Sequence, residues 1–242
     1  MDLIVTHTNT DFDGLGAMVA AKRLYPRAIA AYAPQLNSNV KRFVRLHAES
    51  FGLRPLAEID PAAVRRVILV DTQDLGRTGI KLPAGIETVI WDHHPPFTPP
   101  AQGVVRQIGA ATTLLVQALI RECETLTPPE ATAMLLGIYA DTGRLTYPST
   151  TPEDLEAAAY LLRQGGQLDT VEEYLETALS ERQEALFKAL LDASERHALP
   201  GAQALLAGLT WNDAAPELSL LTSKLIELTG ADVTAIAVTT PD

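Results

Sequence analysis

The chain has 242 residues, 47% of them hydrophobic, with 19 basic and 30 acidic side chains, a formal charge of −11 and one cysteine, enough to bury a sizeable core in one large or two modest domains. The negative balance is the wrong sign for gripping a long duplex through its phosphates, so a small or short anionic substrate is the easier partner, its neutralising cations supplied by bound metal. No apolar run approaches the ~18 residues of a membrane span, and a single cysteine excludes an internal disulfide.

The N-terminus, MDLIVTHTNTD, lacks the basic start and apolar core of a secretory leader, so cytoplasm is the expected compartment and no membrane partner is expected. LIVTHT (3–8) reads as the first strand and GLGAMVAAKRLY (14–25) as a helix; AIAAYA (28–33) and NVKRFVRLHAESFG (39–52) repeat the alternation, and RVILVDT (66–72) and ETVIWDH (87–93) add two strands. Three of these strands are apolar nearly throughout, which points to a parallel sheet covered on both faces. PPFTPP (95–100) is a rigid loop. Helices follow over 111–123, where Cys123 reads as a small buried hydrophobe, over 129–143, and over 149–166, with Thr151 as cap, Pro152 in the first turn and glycines at the close. Further helices are expected over 170–179 and 181–197. After Pro200-Gly201 the pattern restarts as strand, helix and strand, too little for an independent core. The expected architecture is α/β: residues 1–180 form a domain with a five-stranded parallel sheet flanked by helices, 181–199 a linking helix, and 200–242 the start of a smaller α/β domain.

The polar residues fall on this frame in a pattern. His7 closes the first strand, with Asp11 and Asp13 in the loop that follows; Asp71 closes the third, and Asp92, His93 and His94 close the fourth. Singly, each has an ordinary reading, Asp13 for instance as a helix cap. Together they do not, because ligands of open α/β sheets bind outside the carboxyl ends of the strands. Asp141, in YADTGR between a helix and a loop, adds another acid. Carboxylates crowded at one rim repel unless cations hold them. Imidazole and carboxylate without thiolate suit Mn²⁺, Fe²⁺, Zn²⁺ or Mg²⁺, and two ions sharing one carboxylate would clamp a phosphoryl group for hydrolysis.

The stretches HTNTDFDGLGA, VDTQD, DHH and GIYADTGRLTYPSTTPEDLEAAAYL, in this order and spacing, resemble the four motifs of the DHH phosphoesterase family. That family includes oligoribonucleases, cyclic-dinucleotide phosphodiesterases, single-strand exonucleases and, more distantly, manganese-dependent pyrophosphatases. The resemblance implies His7 and Asp11 as ligands of one metal, Asp13, His93 and Asp141 as ligands of the other, and Asp71 as the bridge. It implies that His94 faces the substrate phosphate, that Asp92 orients a histidine from behind, and that Arg144, after the last motif, is a candidate phosphate contact.

The expected activity is therefore hydrolysis of short oligonucleotides or cyclic dinucleotides, with hydroxide held between two divalent ions, Mn²⁺ first among them, attacking phosphorus in line. Phosphoanhydride cleavage, as in pyrophosphatases, and a regulatory role that binds metal and nucleotide without turnover are the alternatives. The family's usual GGGH stretch, which holds substrate, does not occur here. Residues 200–242 are accordingly expected to begin an incomplete substrate-binding domain. ELSLLTSKLIELTGAD resembles a subgroup whose longer members add CBS and tRNA nucleotidyltransferase modules, so the parent protein is expected to carry further domains, and a homodimer is compatible with the resemblance.

Overall fold

The computed structural model describes residues 1–122, 124–175, 179–213 and 218–240; Cys123 and residues 176–178 of the helix expected over 170–179 lie outside them. The chain divides into two compact units, Met1–Glu176 and Thr177–Asp242. The first unit is built on strands β1 (Asp2–Val5), β2 (Ile29–Tyr32), β3 (Leu53–Pro55), β4 (Arg66–Val70), β5 (Glu87–Asp92) and β6 (Gly103–Val105), with helices α1 (Phe12–Leu24), α2 (Ser38–His47), α3 (Ala111–Arg121), α4 (Pro128–Asp141), α5 (Pro152–Arg163) and α6 (Leu168–Leu175).

The sheet has six strands, not five, in the order β3-β2-β1-β4-β5-β6, with every pairing parallel. The short strands β3 and β6 contribute three residues each, too few to show a period in sequence. One face of the sheet packs Ile4, Ala30, Ile68, Val70 and Trp91 against the helices. On the other face Leu3, Val5, Val67 and Leu69 lie under Leu56, Ile59, Val64 and Ile80, which come from loops and short 3-10 turns. Both faces are dry, which is why the central strands read as continuous apolar runs. The chain runs from β1 outward to β2 and β3, then returns to the opposite side of β1 with β4. The carboxyl ends of β1 and β4 thus form the switch point at which open sheets bind ligands.

The second unit corrects the expected link and tail. Helix α7 is Glu181–Asp192, shorter than the expected 181–197, and β7 (Ser194–Leu199) pairs antiparallel with β8 (Ala202–Thr210). Pro200-Gly201 is the hairpin turn between them, not a restart: Leu199 pairs with Ala202 and Gly201 sits at φ +79, a conformation only glycine adopts freely. α8 (Leu218–Thr229) and β9 (Val233–Thr239), parallel to β8, complete a three-stranded sheet. Leu186 and Leu190 of α7, Leu205 of β8 and Leu221 and Leu225 of α8 form a core of their own, so α7 is an integral element of this unit.

Behind the rim, α1 crosses α4 through glycines. A Cβ on Gly137 would stand 2.6 Å from Thr112 Oγ1 and 3.0 Å from the Phe12 carbonyl, and one on Gly16 would stand 3.4 Å from Gly137 Cα. Overpacking of this kind costs typically 1–3 kcal/mol, and ~1 kcal/mol moves the melting point of a unit this size by about 2–4 °C. Gly137→Ala is expected to lower the calorimetric melting temperature by several degrees; an unchanged value would show that the helices can part without cost.

Candidate metal centre

The rim at the switch point gathers side chains from six places in the chain. β1 ends at Val5, so His7 stands two residues past it; Asp71 directly follows β4, Asp92 is the last residue of β5, and His93 and His94 come next. Asp11 caps α1 by accepting from Gly14 N at 3.0 Å, so the capping role that is Asp13's ordinary alternative is already filled. Asp13 lies in the first turn, fully buried, and Asp141 ends α4.

Their ligand atoms converge. His7 Nε2 lies 3.1 Å from Asp71 Oδ2 and 4.0 Å from Asp11 Oδ2. His93 Nε2 lies 3.2 Å from Asp141 Oδ2, 3.4 Å from Asp71 Oδ1 and 3.6 Å from Asp13 Oδ2. Two sets, His7 with Asp11 and Asp71, and Asp13 with His93 and Asp141, each bring one atom per residue within 4.8 Å of the others; Asp71, His93 and His94 form a third. Asp71 therefore reaches both histidines, one through each carboxylate oxygen.

Local structure aims each group. His7 Nδ1 faces the Thr8 carbonyl at 2.7 Å and His93 Nδ1 the Ile108 carbonyl at 3.1 Å, so each ring can donate from Nδ1 and present Nε2, the arrangement that metal-binding imidazoles use. The two Asp13 oxygens accept from Ala111 N (2.7 Å) and Thr112 N (2.9 Å) at the start of α3, where the helix end favours a negative charge. Asp71 adopts φ +56, a left-handed backbone that costs an aspartate roughly 1–3 kcal/mol and is tolerated where the surroundings enforce it. His94 Nδ1 contacts Asp92 Oδ1 at 3.0 Å, and Gln73 Nε2 donates to both Asp92 Oδ2 and the His94 carbonyl at 2.8 Å. The His94 side chain is 53% exposed against 10% for His93. Of the pair, His94 is the one open to an incoming substrate.

Charge explains what belongs here. The Asp71 carboxylate beside His7 holds that imidazole up to about 9. Burial works against the charge on His93, yet the facing Asp141 and Asp71 push it up to about 12. Burial, reinforced by Asp71 and Asp141, raises Asp11 to about 6 and Asp13 well above the carboxylate range. Asp71 is held low despite burial by His7 and His93. Without cations, protons do the neutralising. Asp71 Oδ1 and His93 Nε2 are nevertheless buried with no hydrogen-bond partner, and a buried polar atom left unsatisfied is costly. A cation between them answers both needs, and the nitrogen and oxygen donor set fits a divalent transition metal or Mg²⁺.

Two contributors carry no strong sequence signal. Gln73 sits inside VDTQD as an ordinary polar residue, and Asp154 reads as part of a helix start. Asp154 is fully buried and accepts from Gly109 N, Thr113 Oγ1 and the Thr151 amide and hydroxyl, fastening the loop before α3, which also carries the His93 partner Ile108, to α5. Arg144 is not brought to the cluster by any ion pair within 4.0 Å among the described residues. It is exposed, at φ +59, on the wall of a neighbouring cavity.

A cation entering the cluster must displace the proton that holds His7 positive. His7 ordinarily titrates at 6.5 and here at about 9, so between these values binding should release protons and tighten as pH rises. Titration calorimetry of Mn²⁺ into the chelator-treated chain, in two buffers of different ionisation enthalpy near pH 7.5, is expected to show net proton release. Buffer-independent heats would remove His7 from the ligand set.

Comparison with known proteins identifies the family. The model of the DHH family, N-terminal domain, matches residues 3–138. An A-adding tRNA nucleotidyltransferase of Geobacter sulfurreducens is 35% identical over 246 residues, covering 98% of this chain but 28% of its own length. The bifunctional oligoribonuclease and PAP phosphatase NrnA of Thermus thermophilus is 33% identical over 172 residues, 68% of this chain and 50% of that protein. The chain thus spans between about a quarter and a half of the length of these relatives. Among solved structures, an exopolyphosphatase-related protein from Bacteroides fragilis superposes with a TM-score of 0.67 at 17% identity, over 86% of this chain and 65% of that one, a likeness of fold. With the family model spanning more than half of its residues and the motif carboxylates and histidines meeting at one rim, the chain belongs to the DHH phosphoesterase family.

Proposed function

We propose that the chain is a two-metal phosphodiesterase for short oligonucleotides or cyclic dinucleotides. The observation that carries the reading is that Asp71 reaches His7 with one carboxylate oxygen and His93 with the other, so that one residue belongs to both ligand sets. In this reading His7 and Asp11 would hold one ion, Asp13, His93 and Asp141 the other, and Asp71 would serve both. Bound there, divalent ions supply Lewis acidity and lower the pKa of a water; the two imidazoles favour Mn²⁺ over Mg²⁺, which prefers oxygen ligands.

The remaining roles fall to the chain's own groups. Asp92 holds His94 through Nδ1, so His94 Nε2 points outward to donate to a phosphate oxygen as negative charge grows on it. Gln73 holds Asp92 from the other side and fixes the His94 backbone. Keeping Asp92 and His94 in register before substrate arrives lowers the reorganisation the reaction needs. Arg144 is assigned a substrate contact. The second unit, with its own core, is proposed as the opening part of a substrate-gripping domain that supplies remote binding energy to natural substrates.

A second reading has one observation in its favour: similarity over 98% of the chain to a tRNA nucleotidyltransferase. In that reading the chain is a module of a longer protein that binds metal and nucleotide with negligible turnover. Bis-p-nitrophenyl phosphate and pyrophosphate, each with Mn²⁺ or Mg²⁺, separate the cases. The phosphodiesterase reading expects diester turnover, faster with Mn²⁺, a loss of about 10²-fold or more in His94→Ala with metal retained, and loss of both activity and metal in Asp71→Asn. Cleavage of pyrophosphate alone would make it an anhydride hydrolase. Metal binding without turnover of either compound would favour the regulatory role.

A further inference from the structure

A cavity of about 200 Å³ lies on the α6 side of α4, lined by Tyr139, Arg144, Leu168, Val171, Glu172 and Leu175. Both of its walls are linked to residues of the ion cluster through the chain or through one ring contact. Tyr139 precedes Asp141 by two residues and Arg144 follows it by three, their segments tied by Arg144 N donating to the Tyr139 carbonyl at 2.7 Å. Across the cavity, Val171 and Leu175 flank Tyr174, whose ring meets the edge of Phe12 at 6.2 Å between centroids, and Phe12 stands between Asp11 and Asp13. The Tyr174 carbonyl accepts from Asn39 Nδ2 at 3.0 Å, which anchors this wall to α2 as well.

The lining has an apolar interior and a polar rim. Val171 is buried at the floor, Leu168 and Leu175 form the sides, and the Tyr139 ring is half-buried. Arg144 and Glu172 are both exposed, and neither takes part in an ion pair within 4.0 Å among the described residues. Opposite charges that line one cavity without pairing to each other are free to meet a ligand. The volume is below the ~300–1,000 Å³ of clefts that surround drug-sized ligands, so it suits one planar ring system and not a whole dinucleotide. A nucleobase has this form, with apolar faces and a polar edge, and bases unstacked from a strand are commonly received by aromatic side chains and read along their edges.

The two rim charges select among bases. Guanine presents two acceptors, O6 and N7, which suit a guanidinium, and donors at N1 and N2, which suit a carboxylate. Adenine places an amino donor beside N7 and so offers the guanidinium a poorer edge. We propose that this cavity seats the guanine base of the nucleotide whose phosphate lies at the metal rim, with Arg144 and Glu172 reading its two edges. The proposal rests on the phosphodiesterase reading and assigns Arg144 to the base instead of the phosphate.

The test uses neutral nucleosides, which need no metal. Guanosine and adenosine are titrated into the whole chain in the presence of chelator, followed by ¹H–¹⁵N NMR. Guanosine is expected to shift the amides of Arg144, Leu168 and Val171 with an affinity about ten-fold above that of adenosine, the discrimination of roughly one good bidentate base contact. Leu168→Trp, at a position 41% exposed at the start of α6, fills the cavity and should abolish those shifts while the rest of the spectrum reports a folded chain; Glu172→Gln should reduce the preference for guanosine. Equal affinity for the two nucleosides, no shift at these amides, or guanosine binding unchanged in Leu168→Trp would each overturn the proposal. Wild-type turnover of the generic diester tests the hydrolase reading by itself: if that fails while guanosine still binds, the cavity stands as a base site and the hydrolase reading falls.

Discussion

The structure of the first unit is organised around the mutual repulsion of carboxylates at the mouth of its sheet. Asp11, Asp13, Asp71 and Asp141 crowd around His7 and His93, with Asp92 paired to the neighbouring His94, in a setting where burial, together with the charges of Asp71 and Asp141, raises Asp11 and Asp13. Such an arrangement is stable only if positive charge is supplied, and the histidines cannot supply all of it while leaving Asp71 Oδ1 and His93 Nε2 unpartnered. Protons and divalent cations compete for the same atoms. The site is thus coupled to pH through the same groups that would hold metal.

The rest of the unit can be understood as the support that keeps these charges from separating. The α3 N-terminus grips Asp13 with two backbone amides, and that grip depends on α1 lying close to α4, which the Gly16 and Gly137 contact allows. Asp154 fastens the loop leading into α3, and the Ile108 carbonyl in that loop orients His93. Asp71 accepts a strained backbone to stand at the junction. Stability is spent at the rim and recovered in the two dry faces of the sheet, a common division between functional sites and scaffolds.

Much of this was legible in the sequence because it was local. Long apolar strands announced a doubly covered parallel sheet, and their abrupt breaks into Asp or His marked one rim. What stayed hidden depended on distant partners. β3 and β6 are three residues long and exist only by pairing with β2 and β5. SERHAL reads as the continuation of α7 and becomes β7 only because β8 lies opposite it. Asp13 looks like a cap for its own helix, whereas it serves one that starts 98 residues later. Gln73 and Asp154 carry no chemistry that would single them out until Asp92, His94, Gly109 and Thr113 are placed around them. Arg144 was legible as a basic residue near the last motif, but not its position on a cavity with Glu172.

The central claim is that Asp71 joins two cation sites into one centre, and the most direct test is to see the cations. A crystal grown with Mn²⁺ and measured at the manganese absorption edge should show two anomalous peaks, one beside His7 and Asp11, the other beside Asp13, His93 and Asp141, with an Asp71 oxygen in contact with each. A single peak, or two peaks that Asp71 does not link, would contradict the account.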